Sequence, residues 1–161
     1  LYYRGSVRNA IKRFKFSSAA YCADWFAAQM CAALTSQLED WQPDLITYMP
    51  IGFLHYRKRG YNQAELLAKL TAKPLSLPCE ATLRKRWFVG KQSAQKDYAA
   101  RQSNAKDAVL PKGGVDLTGK FVVLVDDIIT TGATAAAAVK TLREMGASRV
   151  YVLAAAFTPR K

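Results

Sequence analysis

Asp126 and Asp127 stand side by side at the end of the most apolar run in the chain, Phe121-Val-Val-Leu-Val125, and Ile128-Ile-Thr-Thr-Gly-Ala-Thr134 follows at once. Residue types in that order suit a phosphorylated ligand. Thr130, Thr131 and Thr134 bring hydroxyl donors, Gly132 lets the backbone come close, and Ala133 is small. They lead into a helix whose first amides have no partner inside it. A phosphate bound there gains charge-assisted hydrogen bonds and the favourable end of the helix dipole together. The carboxylates cannot contact that phosphate favourably, so a neutral donor or a cation should sit between. Vicinal ribose hydroxyls fit: Asp126 and Asp127 accept from the 2′ and 3′ hydroxyls while the 5′-phosphate lies in the threonine loop, which implies a ribose 5-phosphate moiety. The plainer alternative is that one aspartate caps the following helix and the other is solvated. A Walker-type loop is excluded, because no Gly-Lys-Ser/Thr follows the strand.

Other chemistry-bearing residues are sparse. The single His55 cannot build a histidine metal site and reads as solvated, and nothing nearby supports a Ser-His-Asp arrangement using it. Cys22, Cys31 and Cys79 are odd in number and far apart in sequence, which suggests neither a disulfide framework nor a zinc site but reduced, cytoplasmic thiols. The 24 Lys and Arg against 12 Asp and Glu leave a net charge of +12, unevenly placed. Leu1 to Phe16 carries Arg4, Arg8, Lys12, Arg13 and Lys15 with no acid, and Arg57-Lys58-Arg59 and Arg84-Lys85-Arg86 are compact triplets. Such a field attracts phosphates on a nucleotide, a sugar or a nucleic acid, although any one cluster is equally well a solvated face. Trp41, Trp87 and Phe88 offer stacking surfaces that, beside Arg84, Lys85 and Arg86, suit single-stranded nucleic acid.

The elements that must position these residues read as α/β. Half of the 161 residues are hydrophobic, enough for one domain with a real core. The run from Ala19 to Leu34 is broken by Asp24 and Gln29, and Ala133 to Val139 is too short to span a bilayer, so a soluble protein is expected. Leu1 is not Met and no leader signature follows it, so the chain reads as a fragment or trimmed product. Val7, Ile11 and Phe14 recur at helical spacing, and a second helix is expected from about Ser18 to Leu38, capped by Ser17 or Ser18, with Trp25, Phe26, Met30 and Leu34 in the core. Leu45 to Met49 reads as a strand ended by Pro50, then a loop to Gly60, then a helix from Asn62 to Leu70 with a polar cap. Arg84 to Lys112 is polar and basic, a functional or disordered segment with a possible helix around Gln95 to Arg101. Phe121 to Val125, Thr134 to Met145 and Arg149 to Ala155 read as strand, helix and strand, the pattern of a right-handed parallel crossover. Ligands of such sheets bind beyond the carboxyl ends of the strands, where Asp126 to Thr134 falls.

With these residues placed, Val122-Val-Leu-Val-Asp-Asp-Ile-Ile-Thr-Thr-Gly-Ala-Thr134 resembles the phosphoribosyl pyrophosphate (PRPP) binding signature of type I phosphoribosyltransferases. Pro50, Arg57-Lys-Arg-Gly-Tyr-Asn-Gln-Ala64, and Arg84, Gln92, Arg101 and Asn104 are similar to the ComF/GntX group of competence-associated phosphoribosyltransferase-like proteins, as are the opening Tyr3-Arg-Gly-Ser-Val-Arg8 and Lys15-Phe16. The resemblance implies a type I phosphoribosyltransferase-like fold, a mainly parallel sheet flanked by helices, as a single domain over residues 1–161 with a small hood from about 1–40. It implies PRPP as ligand, Mg²⁺ bound with it and reached by protein acids mainly through water, and pyrophosphate as leaving group. Backbone amides of Pro50-Ile51-Gly52 would meet the pyrophosphate with Arg57 and Arg59 nearby, and the segment of Lys91, Gln92, Arg101 and Asn104 would close over the site. It further implies a cytoplasmic phosphoribosyltransferase of unknown acceptor or a PRPP-responsive factor handling single-stranded DNA in natural transformation, with competence DNA-translocation proteins as partners. The sequence departs from the group in having Gly52 where histidine is usual and Tyr61 where phenylalanine is more frequent, and it lacks the amino-terminal zinc-binding cysteine cluster of many members. Thr130 replaces the aspartate of purine-type relatives, which disfavours a 6-oxopurine substrate.

Overall fold

The apolar run before the paired acids is the middle of the sheet. Strand β4 (Phe121–Ile129) lies between β1 (Leu45–Tyr48) and β5 (Arg149–Phe157), with both neighbours parallel to it. The computed structural model describes residues 1–16, 21–85 and 109–158. Val122, Val123, Leu124 and Val125 are all wholly buried. Both faces of the strand are covered, so its sequence is continuously apolar rather than alternating.

The two faces bury against different partners. Val123 and Val125 pack with Ile46 against α1 (Gly5–Phe16), α2 (Tyr21–Thr35) and α5 (Gln63–Ala72), through Ile11, Phe14, Phe26, Met30, Leu34 and Leu67. Val122 and Leu124 meet α6 (Ala133–Glu144) through Ala138 and Leu142, and also Leu83 and Val109 of a small antiparallel ribbon, β2 (Leu83–Lys85) with β3 (Val109–Pro111). Residues 1–40, which the resemblance gives as a hood, thus supply much of the core on one face of the sheet. The outer edges of β1 and β5 are each paired by a passing segment: Cys79 bridges Ile46, and Tyr2 bridges Phe157. Among the described residues no helix is long and apolar enough to cross a membrane.

Several expectations need correction. The loop expected before Gly60 contains the helix α4 (Phe53–Arg59), entered through Gly52 and ended by Gly60 at φ 80°. None of its residues is buried, so no apolar periodicity announced it. Arg84 and Lys85 are in strand β2 rather than an irregular segment, since three residues are too few for an alternation to be read. The second helix stops at Thr35, and a separate turn of helix, α3 (Leu38–Trp41), follows. Trp25 is 52% exposed instead of in the core, lying edge-on to Phe26. Trp41 is stacked on Tyr151 at 4.2 Å, so its face is already occupied. The proposed cap Ser17 or Ser18 and the helix around Gln95 to Arg101 lie outside the described residues.

One polar pair sits in the core between β1 and the chain entering β2. The hydroxyls of Thr47 and Thr82, both wholly buried, lie 2.7 Å apart, and Thr82 N also donates to Thr47 Oγ1 at 3.3 Å. Removing one member leaves the other unsatisfied. Thr47→Val is therefore expected to cost about 1–3 kcal/mol in urea unfolding, while the double Thr47→Val/Thr82→Val protein recovers only the part due to the orphaned Thr82 hydroxyl, since Thr82 N still lacks its acceptor.

Candidate functional site

Strand β4 does not stop before the acids, as the sequence suggested. It runs through Asp126 and Asp127 to Ile129, because Ile128 and Ile129 pair with Ala156 and Phe157 of an equally long β5. Neighbouring strand residues point to opposite faces. Asp126, next after Val125, therefore continues the Val122 and Leu124 side, but the alternation is not kept beyond it: the register passes over Asp127, and Ile128 packs with Val123 and Val125. Even so, both line one cavity of about 200 Å³, together with Thr130, Thr131, Gly132, Thr134 and Ala135. Each acid is half-buried. The Asp126 carboxylate accepts from the backbone N of Asp127 at 2.8 Å.

The turn into α6 has the form expected of an anion cradle. Gly132 is at φ 80°, the left-handed region that glycine occupies without strain, and its carbonyl accepts the first helical bond from Ala136 N at 2.8 Å. A side chain at Gly132 would meet nothing within 4 Å among the described residues. Thr131 Oγ1 accepts from Ala133 N at 3.3 Å, and Thr130, Thr131, Ala133 and Thr134 are exposed. Hydroxyls and leading amides thus converge where the positive end of the helix dipole lies.

Met49, which the sequence did not single out, also lines this cavity. Its N donates to Val125 O at 2.8 Å, setting it beside Asp126. The next residues, Pro50, Ile51 and Gly52, form the short loop between β1 and α4. Asn62 anchors the start of that loop: its Nδ2 donates to Met49 O at 3.0 Å, while its Oδ1 accepts from Ala64 N at 3.1 Å and caps α5.

Pro50 and Ile51 also line a second cavity of about 350 Å³, shared with Tyr48, Asn62, Glu65, Leu83, Arg84 and Lys85. The Tyr48 hydroxyl is pushed up to about 12 by burial and by the Glu65 carboxylate it faces. Glu65 is also held by Lys69 at 2.6 Å. Burial lowers the pKa of Lys85, and the nearby Asp126 carboxylate opposes that shift. Lys85 thus lines this second cavity half-buried, while its neighbour Arg84 is exposed.

Arg57 and Arg59 lie on α4, with Arg57 over the Phe53 ring at 5.7 Å and Arg59 donating to Gln63 Oε1 at 3.0 Å. Arg84 is exposed and donates to Pro111 O at 3.1 Å. Arg86, Lys91, Gln92, Arg101 and Asn104, like Trp87 and Phe88, lie outside the described residues. The structure so brings together Asp126, Asp127 and the threonine turn in one cavity, and Pro50, Ile51 and Lys85 in another; Met49 and Glu65 carried no sequence signal, and Asn62 carried its place as a helix cap and in the Arg57-to-Ala64 motif.

A phosphoribosyl transferase domain model matches residues 62–161. The chain is 30% identical over 150 residues to Competence protein F of Haemophilus influenzae, covering 88% of this chain and 64% of that protein. It is 34% identical over 119 residues to DNA utilization protein YhgH of Escherichia coli, covering 68% of this chain and 48% of that protein. The chain thus spans about half to two thirds of the length of these curated relatives. Among solved structures, the glutamine phosphoribosylpyrophosphate amidotransferase of B. subtilis is 28% identical with a TM-score of 0.56, covering 83% of this chain and 26% of that one.

Proposed function

The chain belongs to the phosphoribosyl transferase domain family, and from that premise we propose that it binds PRPP at the carboxyl end of β4. The observation that carries this reading is the single cavity lined by both Asp126 and Asp127 and by the threonine-glycine turn at the start of α6. The 5′-phosphate takes the turn, and the diol is accepted by the carboxylates. The pyrophosphate lies toward Pro50-Ile51-Gly52, where the backbone N–H groups of Ile51 and Gly52 and the α4 arginines supply preorganised positive charge.

The donor set suits an ion that arrives on the ligand. Among the described residues no three His, Cys, Asp or Glu side chains are grouped as a metal cage, whereas two adjacent acids are poised to act through water on an ion held by the ligand's own oxygens. Mg²⁺ so bound would spread the charge of the pyrophosphate. The protein's own part in transfer is to fix the ribose and to receive the leaving group. A nucleophilic acceptor forms a bond to the anomeric carbon as the carbon–oxygen bond breaks, and pyrophosphate departs with the electron pair. Calorimetry with PRPP and Mg²⁺ tests the binding step, and absence of binding at millimolar PRPP would sink it. Pyrophosphate release across candidate acceptors tests transfer.

A second reading is favoured by α4. Phe53, Leu54 and Tyr56 are 48%, 79% and 48% exposed, in the same short helix as Arg57, Lys58 and Arg59. Exposed rings among cations suit single-stranded DNA, whose bases stack while its phosphates are neutralised. Together with the names of the relatives, this supports a PRPP-responsive factor handling DNA in the cytoplasm during natural transformation, beside DNA-translocation proteins. Fluorescence anisotropy with a single-stranded oligonucleotide is expected to show affinity falling steeply with salt and lost in Arg57→Glu/Lys58→Glu. Affinity insensitive to both would count against this surface.

A further inference from the structure

We propose that Lys85 is a further pyrophosphate-recognising residue of the PRPP site, beside the loop amides and the α4 arginines, and helps to distinguish PRPP from ribose 5-phosphate; the inference rests on the PRPP reading above. Lys85 ends β2, and β2 covers the sheet face on which Val122, Leu124 and then Asp126 alternate. Its side chain is half-buried and lines the cavity behind Pro50 and Ile51. Met49, one residue before that loop, lines the ribose cavity instead. The chain from Met49 to Ile51 thus borders both spaces, and Lys85 lines the one that Pro50 and Ile51 share.

Charge makes the assignment specific. Among the described residues lining the two cavities, only Arg84 and Lys85 are cationic. Arg84 is exposed and turned to the Pro111 carbonyl. The acid in the second cavity, Glu65, is taken up by Lys69 and by the Tyr48 hydroxyl. The charge that acts on Lys85 is that of Asp126, and it favours the ammonium form against burial. A polyanion placed between the loop and Asp126 strengthens the same preference. Asp126 accepts the diol, and Lys85 donates to pyrophosphate oxygens bonded at the neighbouring anomeric carbon. Ribose 5-phosphate lacks those oxygens, so it gains nothing from Lys85.

Calorimetry on the intact chain with PRPP and Mg²⁺, and separately with ribose 5-phosphate, tests this in Lys85→Met, Lys85→Arg and wild-type protein. Lys85→Met is expected to weaken PRPP about tenfold or more while leaving ribose 5-phosphate within about twofold, and Lys85→Arg to keep most PRPP affinity. Wild-type binding of both ligands with an unchanged Lys85→Met overturns the role of Lys85 and leaves the PRPP reading standing. An equal loss for both ligands also overturns it, since that marks general disturbance of the site. Wild-type protein that binds neither ligand overturns both readings together.

Discussion

Asp126→Asn/Asp127→Asn protein should bind PRPP about a hundredfold more weakly than wild type, with its fold intact. Hydrogen bonds to a charged acceptor are each worth about 1.5–3 kcal/mol, and an amide keeps an oxygen but loses the charge, so a loss of about 3 kcal/mol for the pair is reasonable. Both side chains are half-buried and end in the cavity rather than the core, and the sheet bonds of β4 are made by its backbone. Calorimetry with three ligands gives a pattern no unfolding could mimic. PRPP and ribose 5-phosphate, which share the diol, lose affinity together. Orthophosphate, which occupies only the threonine turn, is held as well or better, because two negative charges near it have gone. Unchanged PRPP affinity would remove the ribose assignment.

The largest expected effect on stability is far from the ligand. Gly146, at φ 97°, turns the chain from α6 toward β5. A Cβ there would stand 2.8 Å from Thr118 Oγ1, 2.9 Å from Thr118 Cα and 3.0 Å from Thr118 N. Thr118 cannot easily yield, since its hydroxyl and its N both donate to Asp116 Oδ1, at 2.7 and 2.9 Å. These same bonds lower the pKa of Asp116, a sign that its charged form holds the turn. Gly146→Val combines left-handed strain with a backbone collision and should cost about 3 kcal/mol or more. For a chain of this size that lowers Tm by about 6–12 °C, readable by differential scanning calorimetry. A fall of less than about 2 °C would mean that the turn relaxes freely.

What the sequence made legible, and what it did not, follows from how each signal arises. The run from Phe121 to Thr134 was readable because a strand buried on both faces is continuously apolar and a threonine-glycine turn has few purposes at its end. The length of β4 was not, because two carboxylates look like the end of a strand when only a partner as long as β5 can keep them in one. Helix α4 was invisible to periodicity because it buries nothing. Lys85 was read with Arg84 and Arg86 as a basic triplet, yet β2 sends adjacent side chains to opposite sides. Contiguity in sequence therefore grouped residues that the ribbon separates: Arg84 is exposed and bonded to β3's Pro111, while Lys85 is half-buried against the second cavity. The second cavity joins residues from β1, α4, α5 and β2, so no local pattern could have drawn it.

Asn62 grips the Met49 carbonyl with its nitrogen and the first turn of α5 with its oxygen. One side chain thereby makes the entry to the loop and the start of the helix a single cooperative unit. A ligand that steadies Pro50 to Gly52 slows the opening of α5 as well, so occupancy at the end of the sheet is recorded in the hydrogen exchange of amides that never touch it.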